Sequence, residues 1–193
     1  MARHARAQLG LERVLLMPAH TPPHKPLGED PGPQHRLRMC ALLAAAEAWL
    51  SASALEIERG GRSYTVDTLQ ALHNEHPDAE ITFIAGADIA STLAGWHQPV
   101  RLLELARLAV AARSGSARMQ VLDAVTELAG DESAGRAAAA EVSFLEMPPI
   151  EVSSSMARAR VAAGEPIEEL VGPAVAAYIS DHGLYRTRIG APA

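Results

Sequence analysis

Apolar and polar positions alternate in blocks along this chain of 193 residues. RVLLMP (13–18), ALEIE (54–58), ITFIAG (81–86), RLAVAAR (107–113) and VSFLEM (142–147) are short apolar runs that read as strands. Between them, 34–50, 65–76, 98–106 and 117–140 place Leu and Ala at three- and four-residue spacing and predict helices. Trp49 falls on the apolar face expected for helix 34–50. Alternation of this kind implies βαβ units and a mostly parallel sheet, an α/β fold. From Ser153 onward the pattern is helical, with Gly164 expected as a C-cap, Pro173 at a helix start and Gly183 at its stop. The Ala-rich stretch 134–140 suits a solvated helix. No linker divides the chain. The expected organisation is one domain over 1–193, with the α/β sheet region in 1–150 and a C-terminal helical part in 151–193.

The first ten residues, MARHARAQLG, read as a helix with an apolar stripe of Met1, Ala5 and Leu9, closed by Gly10. The segment has a stop signal but no Ser, Thr, Asp or Asn to start it. It looks like the second half of a longer element.

Composition narrows the function. The 17 Lys and Arg against 23 Asp and Glu give a net charge of −6, which leaves no basic surplus to neutralise a nucleic-acid backbone. The single cysteine, Cys40, cannot form an internal disulfide and suits a reducing compartment. Apolar stretches stop well short of membrane-spanning length, and residues 1–10 lack the apolar region of a signal peptide. A cytoplasmic protein with small-molecule partners is the expectation, with no nucleic acid and no membrane; homo-oligomerisation is left open.

Four segments carry candidate chemistry. In PAHTPPHK (18–25) a proline-stiffened loop leaves a strand end and offers His24 and Lys25 as donors suited to phosphate oxygens. A surface turn with solvated charges fits it too. A metal set of His20, His24 and His35 is the weaker reading: proline forbids the helix that would align His20 with His24, and no carboxylate or thiolate completes the set. In GGRSYTVDTL (60–69) a tight glycine turn leads to a helix capped by Ser63 or Thr65, whose first N–H groups form an anion site. The segment lacks the Gly-x4-Gly-Lys-Ser/Thr pattern of a nucleotide P-loop, and a plain capped helix explains it equally. In FIAGADIASTLAGWHQP (83–99) Gly86 ends a strand and Asp88 stands just past it, where a carboxylate can hold a ribose hydroxyl. Trp96 falls in a loop, placed either to stack a flat ring or to plug the core. In IEVSSSMARAR (150–160) hydroxyls, helix N–H groups and Arg158 converge on one anion, unless the helix is merely capped and Arg158 solvated.

Together and in this order the segments resemble the bacterial nicotinate-nucleotide adenylyltransferases of NAD biosynthesis. The resemblance rests on Pro18 to Lys25, Arg36 to Met39, Ser63 to Leu69, Gly86 to Asp88 with Trp96, Val152 to Arg158, and Tyr178 to Tyr185. It spans almost the whole chain. It implies a Rossmann-like nucleotidyltransferase fold, and transfer of the adenylyl group of ATP, with Mg²⁺ on its phosphates, to nicotinate mononucleotide. Ser153, Ser155 and Arg158 would hold the ATP phosphates, with His24 as the catalytic group and Lys25 closing over the same phosphates. Gly86 and Asp88 would line the adenosine ribose. Trp96 would stack on the pyridine ring, and backbone N–H groups at Thr65, Val66 and His97 would receive the nicotinate carboxylate. No protein metal site is implied. Ser155 and Ala157 depart from the commoner Thr and Ile.

The family pattern also opens with a strand and a G-G-x-F-D-P-x-H-x-G-H loop, which this sequence does not contain. The implied strand would be central, beside RVLLMP and ITFIAG, and the expectation is that the protein begins upstream of Met1. Two other functions fit the residues: a non-catalytic nucleotide-binding protein of the same fold, and a sister adenylyltransferase with another phosphate acceptor such as a pantetheine phosphate.

Overall fold

A three-residue parallel pairing and a longer parallel sheet organise the chain. The structure is a computed structural model that describes residues 1–23, 30–112, 115–128, 141–148 and 152–186. The chain divides into two compact units, Met1–Glu12 with Ser63–Pro149, and Arg13–Arg62 with Ile150–Ala193.

In the first unit, β3 (Thr82–Gly86), β4 (Arg107–Ala111) and β5 (Ser143–Leu145) form a parallel sheet with β4 in the centre. Register pairs Thr82 with Arg107 and Gly86 with Ala111. The central strand is buried on both faces, with Leu108, Ala109 and Val110 at 3% exposure or less, which is why RLAVA reads as a continuous apolar run. Helices α4 (Thr65–Glu75), α5 (Ala87–Ala90), α6 (Pro99–Leu105) and α7 (Gly115–Leu128) contribute Val66, Leu69, Ala90, Leu102, Val121 and Val125 to one core with Val110. The other sheet face packs on α1 (Ala2–Leu9), through Ala5 against Ala109 and Leu145. The α1 helix ends as expected, with Gly10 left-handed at φ 65° and its N–H bonded to the Arg6 carbonyl. Gln8 then completes β5. Its amide nitrogen donates to the Glu146 carbonyl at 2.6 Å, and its amide oxygen accepts from the Glu146 N–H at 2.8 Å.

In the second unit, β1 (Val14–Leu16) pairs in parallel with β2 (Leu50–Ala52), and α2 (Pro33–Ala44) joins them. The C-terminal helices are α8 (Ser154–Ala163), α9 (Glu168–Val171) and α10 (Pro173–Asp181). Ile167, Val175, Ala176, Ile179 and Leu184 form their core, onto which Met39 and Leu42 of α2 pack. Gly164 caps α8 in the left-handed region, and Pro173 starts α10, both as the sequence predicts. Among the described residues no helix is long and apolar enough to cross a membrane.

Some local expectations are corrected. ALEIE is not a strand: Leu55–Arg59 is a short helix, α3, stopped by Gly60 at φ 72°. The run is too short for period to decide, and Glu56 and Glu58 in its first turn suit a helix start. The strand lies just upstream, at Leu50–Ala52, and α2 stops at Ala44 rather than continuing to 50. The Trp49 carbonyl accepts from the Val14 N–H at 2.9 Å, so pairing with β1 overrides the helix propensity of the alanines. Trp49 is therefore in a turn, its indole N–H donating to Glu47 Oε2 at 2.8 Å, and not on a helix face. Tyr64, and not Ser63 or Thr65, holds the N-cap position of α4, with no cap bond from its own side chain; Ser63 is buried at 6% exposure. The expected helix 117–140 is observed as Gly115–Leu128; residues 129–140, with the Ala-rich stretch, lie outside the described residues.

Candidate active site

Six of the predicted site residues belong to the first unit, and they come from three places in the sequence. Thr65 and Val66 form the first turn of α4. The N–H groups of a first turn have no acceptor within the helix and carry the positive end of its dipole. Val66 is 4% exposed, its side chain committed to the core, so only its backbone is available to a ligand. Tyr64, immediately before, stacks on His97 with ring centroids 4.5 Å apart and planes inclined at 38°. That contact brings the two segments predicted to meet the acceptor, 65–66 and 96–97, side by side.

Trp96 follows the 3₁₀ turn Leu93–Gly95. Its ring meets Phe83 of β3 nearly edge-on at 5.9 Å, and its N–H donates to Thr92 Oγ1 at 3.0 Å. The indole is half-buried and packs on the margin of the apolar core. Gln98 then takes up the left-handed region at φ 49°, a conformation that costs a non-glycine residue about 1–2 kcal/mol. This strained residue turns the chain from the His97 ring into α6, and strain of this kind gathers at functional sites.

Gly86 ends β3 and Asp88 stands in the first turn of α5, as the sequence predicts. A Cβ at position 86 would come within 2.7 Å of Asp88 Oδ1. Glycine thus leaves the exposed Asp88 carboxylate room to fold back over the strand end, the place where α/β sheets bind ligands.

The remaining described candidates lie in the second unit, on one helix. Ser153 is the N-cap of α8 and its Oγ accepts from the Met156 N–H at 3.1 Å. Arg158 donates to Ser155 Oγ at 3.3 Å, so the guanidinium folds back toward the helix start. Hydroxyls, first-turn N–H groups and a cation are collected there on an exposed end, as an anion site requires. His24 and Lys25 lie outside the described residues.

Sequence reasoning passed over four residues. Tyr64 was visible inside SYTVDTL, but nothing local says that it stacks on His97. Arg36, in the R-x-x-M segment, donates to both Asp30 carboxylate oxygens, at 2.5 Å each, and to the carbonyls of Ala19 and His20. Asp30 is its partner. Tyr185 is left-handed at φ 60° and half-buried. Burial pushes its phenol above the usual range; Arg158 and Arg36 oppose that and Asp30 adds to it. Cys40, on α2 with Arg36, is also pushed up by burial, with Arg36 opposing. Among the described residues no three His, Cys, Asp or Glu side chains converge in a way that could hold a metal ion.

Comparison with known proteins identifies the family. A model of the cytidylyltransferase-like family matches residues 1–160. A probable nicotinate-nucleotide adenylyltransferase of Salinibacter ruber is 36% identical over 186 residues, covering 96% of this chain and 89% of its own. One of Chromobacterium violaceum is 38% identical over 191 residues, covering 96% and 90%. The chain belongs to the nicotinate-nucleotide adenylyltransferase family. The fold agrees: a Plasmodium falciparum nicotinic acid mononucleotide adenylyltransferase, solved in complex with NaAD, superposes with a TM-score of 0.64 at 17% identity, over 93% of this chain and 89% of that one.

Proposed function

We propose that this adenylyltransferase transfers the adenylyl group of ATP to nicotinate mononucleotide, giving nicotinate adenine dinucleotide and pyrophosphate. The observation that carries the choice of acceptor is the cluster in the first unit: the α4 N-terminus, the Tyr64–His97 stack and the Trp96 indole against Phe83 of β3. Nicotinate is a flat ring bearing a carboxylate. Aromatic faces suit the ring, and helix N–H groups at Thr65 and Val66, with that of His97, suit the charge. A pantetheine phosphate has no ring to stack, and a nicotinamide has a neutral carboxamide in place of the negative charge that suits the helix start.

In the reaction the nucleotide's phosphate oxygen attacks the α-phosphorus of ATP in line. One P–O bond forms, the bond to the bridging oxygen breaks, and pyrophosphate leaves with the electron pair. No covalent enzyme intermediate is needed, so positioning and charge stabilisation supply the catalysis. Magnesium enters as part of the substrate, MgATP. Ser153, Ser155 and Arg158 bind its phosphates, with His24 and Lys25 from the proline-rich loop, while Gly86 and Asp88 hold the ribose. The same reading treats 1–193 as one nucleotidyltransferase domain working in the cytoplasm on small-molecule substrates.

The test is pyrophosphate release from MgATP with three acceptors in parallel: nicotinate mononucleotide, nicotinamide mononucleotide and 4′-phosphopantetheine. Nicotinate mononucleotide should be used fastest. A higher rate with phosphopantetheine would replace the acceptor. Binding of both nucleotides without release from any acceptor would favour a non-catalytic nucleotide-binding protein.

A further inference from the structure

Trp96 is held by apolar packing and by a hydrogen bond, and the two do different things. Its ring meets Phe83 at 5.9 Å, with planes inclined at 67°, on the margin of the core. Apolar contact is non-directional, and the χ2 torsion of a tryptophan is broad and roughly two-fold. An indole turned over about χ2 could keep an apolar neighbour and still present a different edge. The N–H bond removes that freedom. Trp96 Nε1 donates to Thr92 Oγ1 at 3.0 Å, and the same hydroxyl donates to the Ile89 carbonyl at 2.8 Å. A hydroxyl has one proton to give. With that proton on Ile89, its oxygen is left to accept from the indole.

The backbone around Thr92 does not need this hydroxyl. The 3₁₀ turn Leu93–Gly95 closes through its own main chain. The Gly95 N–H donates to the Thr92 carbonyl and the Trp96 N–H to the Leu93 carbonyl, both at 3.0 Å. The Thr92 N–H donates to the Ile89 carbonyl at 3.1 Å. Thr92 is the N-cap of the turn yet makes no side-chain cap bond, and Leu93, 1% exposed, anchors the turn in the core. Ser91 supplies a natural control: its Oγ makes the same kind of bond three residues back, to the Asp88 carbonyl at 3.2 Å.

We propose that Thr92 is a positioning residue for the acceptor: its hydroxyl, oriented by the Ile89 carbonyl, fixes the Trp96 indole in the setting in which it covers a flat ring. The functional half of this rests on the adenylyl-transfer reading, in which Trp96 stacks on nicotinate. Threonine suits the task because branching at Cβ restricts χ1 and keeps the hydroxyl against the preceding carbonyl. Valine keeps the shape and loses the bond. Serine keeps the bond on a freer side chain.

The chain has 2 tryptophans, so its indole N–H groups give two nuclear magnetic resonances, with Trp49 on Glu47 as the internal reference. Thr92→Val should shift the Trp96 resonance and speed its exchange with solvent about tenfold, leaving that of Trp49 in place. In calorimetric titration its affinity for nicotinate mononucleotide should fall about fivefold, the worth of one hydrogen bond, and that for a non-hydrolysable ATP analogue should stay within about twofold. Thr92→Ser and Ser91→Ala should stay within about twofold of the parent for both. In a Trp96→Phe background Thr92→Val should weaken the acceptor no further, because no N–H is left to hold. An unmoved Trp96 resonance, or losses that simply add in the double variant, would overturn the proposal. So would equal losses for both nucleotides with a lower denaturation midpoint, since Thr92 would then only support the turn. If the resonance moves while neither Thr92→Val nor Trp96→Ala weakens nicotinate mononucleotide, Thr92 holds the ring and the stacking reading is what fails.

Discussion

The two units hold their site residues by different forces. In the first, the candidate residues stand on the core: Val66 is inside it, Trp96 packs against Phe83 at its edge, and Tyr64 and His97 cover each other. In the second they are held by polar clasps: the Ser153 cap and the Arg158–Ser155 bond at an exposed helix start, and beside them in the chain's fold the largely buried Arg36–Asp30 pair. Packing is stiff and indifferent to salt, so an apolar site is pre-shaped but cannot be altered without cost to the fold. Clasps of charge and hydroxyl are local and can be cut one at a time. Binding and stability should therefore be entangled in the first unit and separable in the second.

The strongest way to break that comparison is a pair of substitutions in the first unit. Leu102 is fully buried, and Leu102→Ala should cost about 2–5 kcal/mol in urea denaturation with the affinity for nicotinate mononucleotide of the folded protein nearly unchanged. Trp96→Ala should do both things, lowering stability by about 1–3 kcal/mol and weakening that affinity roughly two- to tenfold. A Trp96→Ala protein as stable as the parent would release Trp96 from the core margin; one with unchanged acceptor affinity would end its role in stacking. Because Trp49 lies in a turn, Leu102 and not Trp49 is the proper core control.

In the second unit, Arg158→Ala should weaken the non-hydrolysable ATP analogue about ten- to a hundredfold, the worth of a charge-assisted bond to phosphate. The denaturation midpoint should hardly move, since the one bond described for its side chain is a 3.3 Å contact to Ser155. Calorimetric titration beside thermal unfolding checks both halves of the claim. Equal losses in stability and ATP affinity would place Arg158 with the packed residues of the first unit.

The smallest effect sharpens the same contrast. Ser153→Ala removes the one side-chain cap of α8 and should cost about 0.5–2 kcal/mol. Ser153→Asp restores a cap acceptor but brings a negative charge to the anion site. It should recover the stability while weakening ATP further than alanine does. If the aspartate binds ATP as well as the parent, the helix start is a cap and no phosphate site.

Much of this architecture can be read along the chain, wherever the cause is local. Gly10 and Gly164 stop helices because a left-handed residue closes the last turn, and Pro173 starts one because its N–H is not needed there. The apolar runs at 82–86 and 107–111 are buried strands because a parallel sheet covered on both faces leaves no polar side. The motif series from PPHK to the terminal tyrosine pointed to the adenylyltransferase family, since each piece keeps its chemistry and its order. Tertiary structure decided the rest. The alanines after Ala44 favour helix, yet Leu50–Ala52 pairs with β1, because the hydrogen bonds of a second strand outweigh a few tenths of a kcal/mol of propensity per residue. Arg36 reads as an ordinary helix cation until the loop folds beside it, and His35 meets Tyr178 across 143 residues. Such partners are set by where distant elements come to rest, which neither periodicity nor capping encodes.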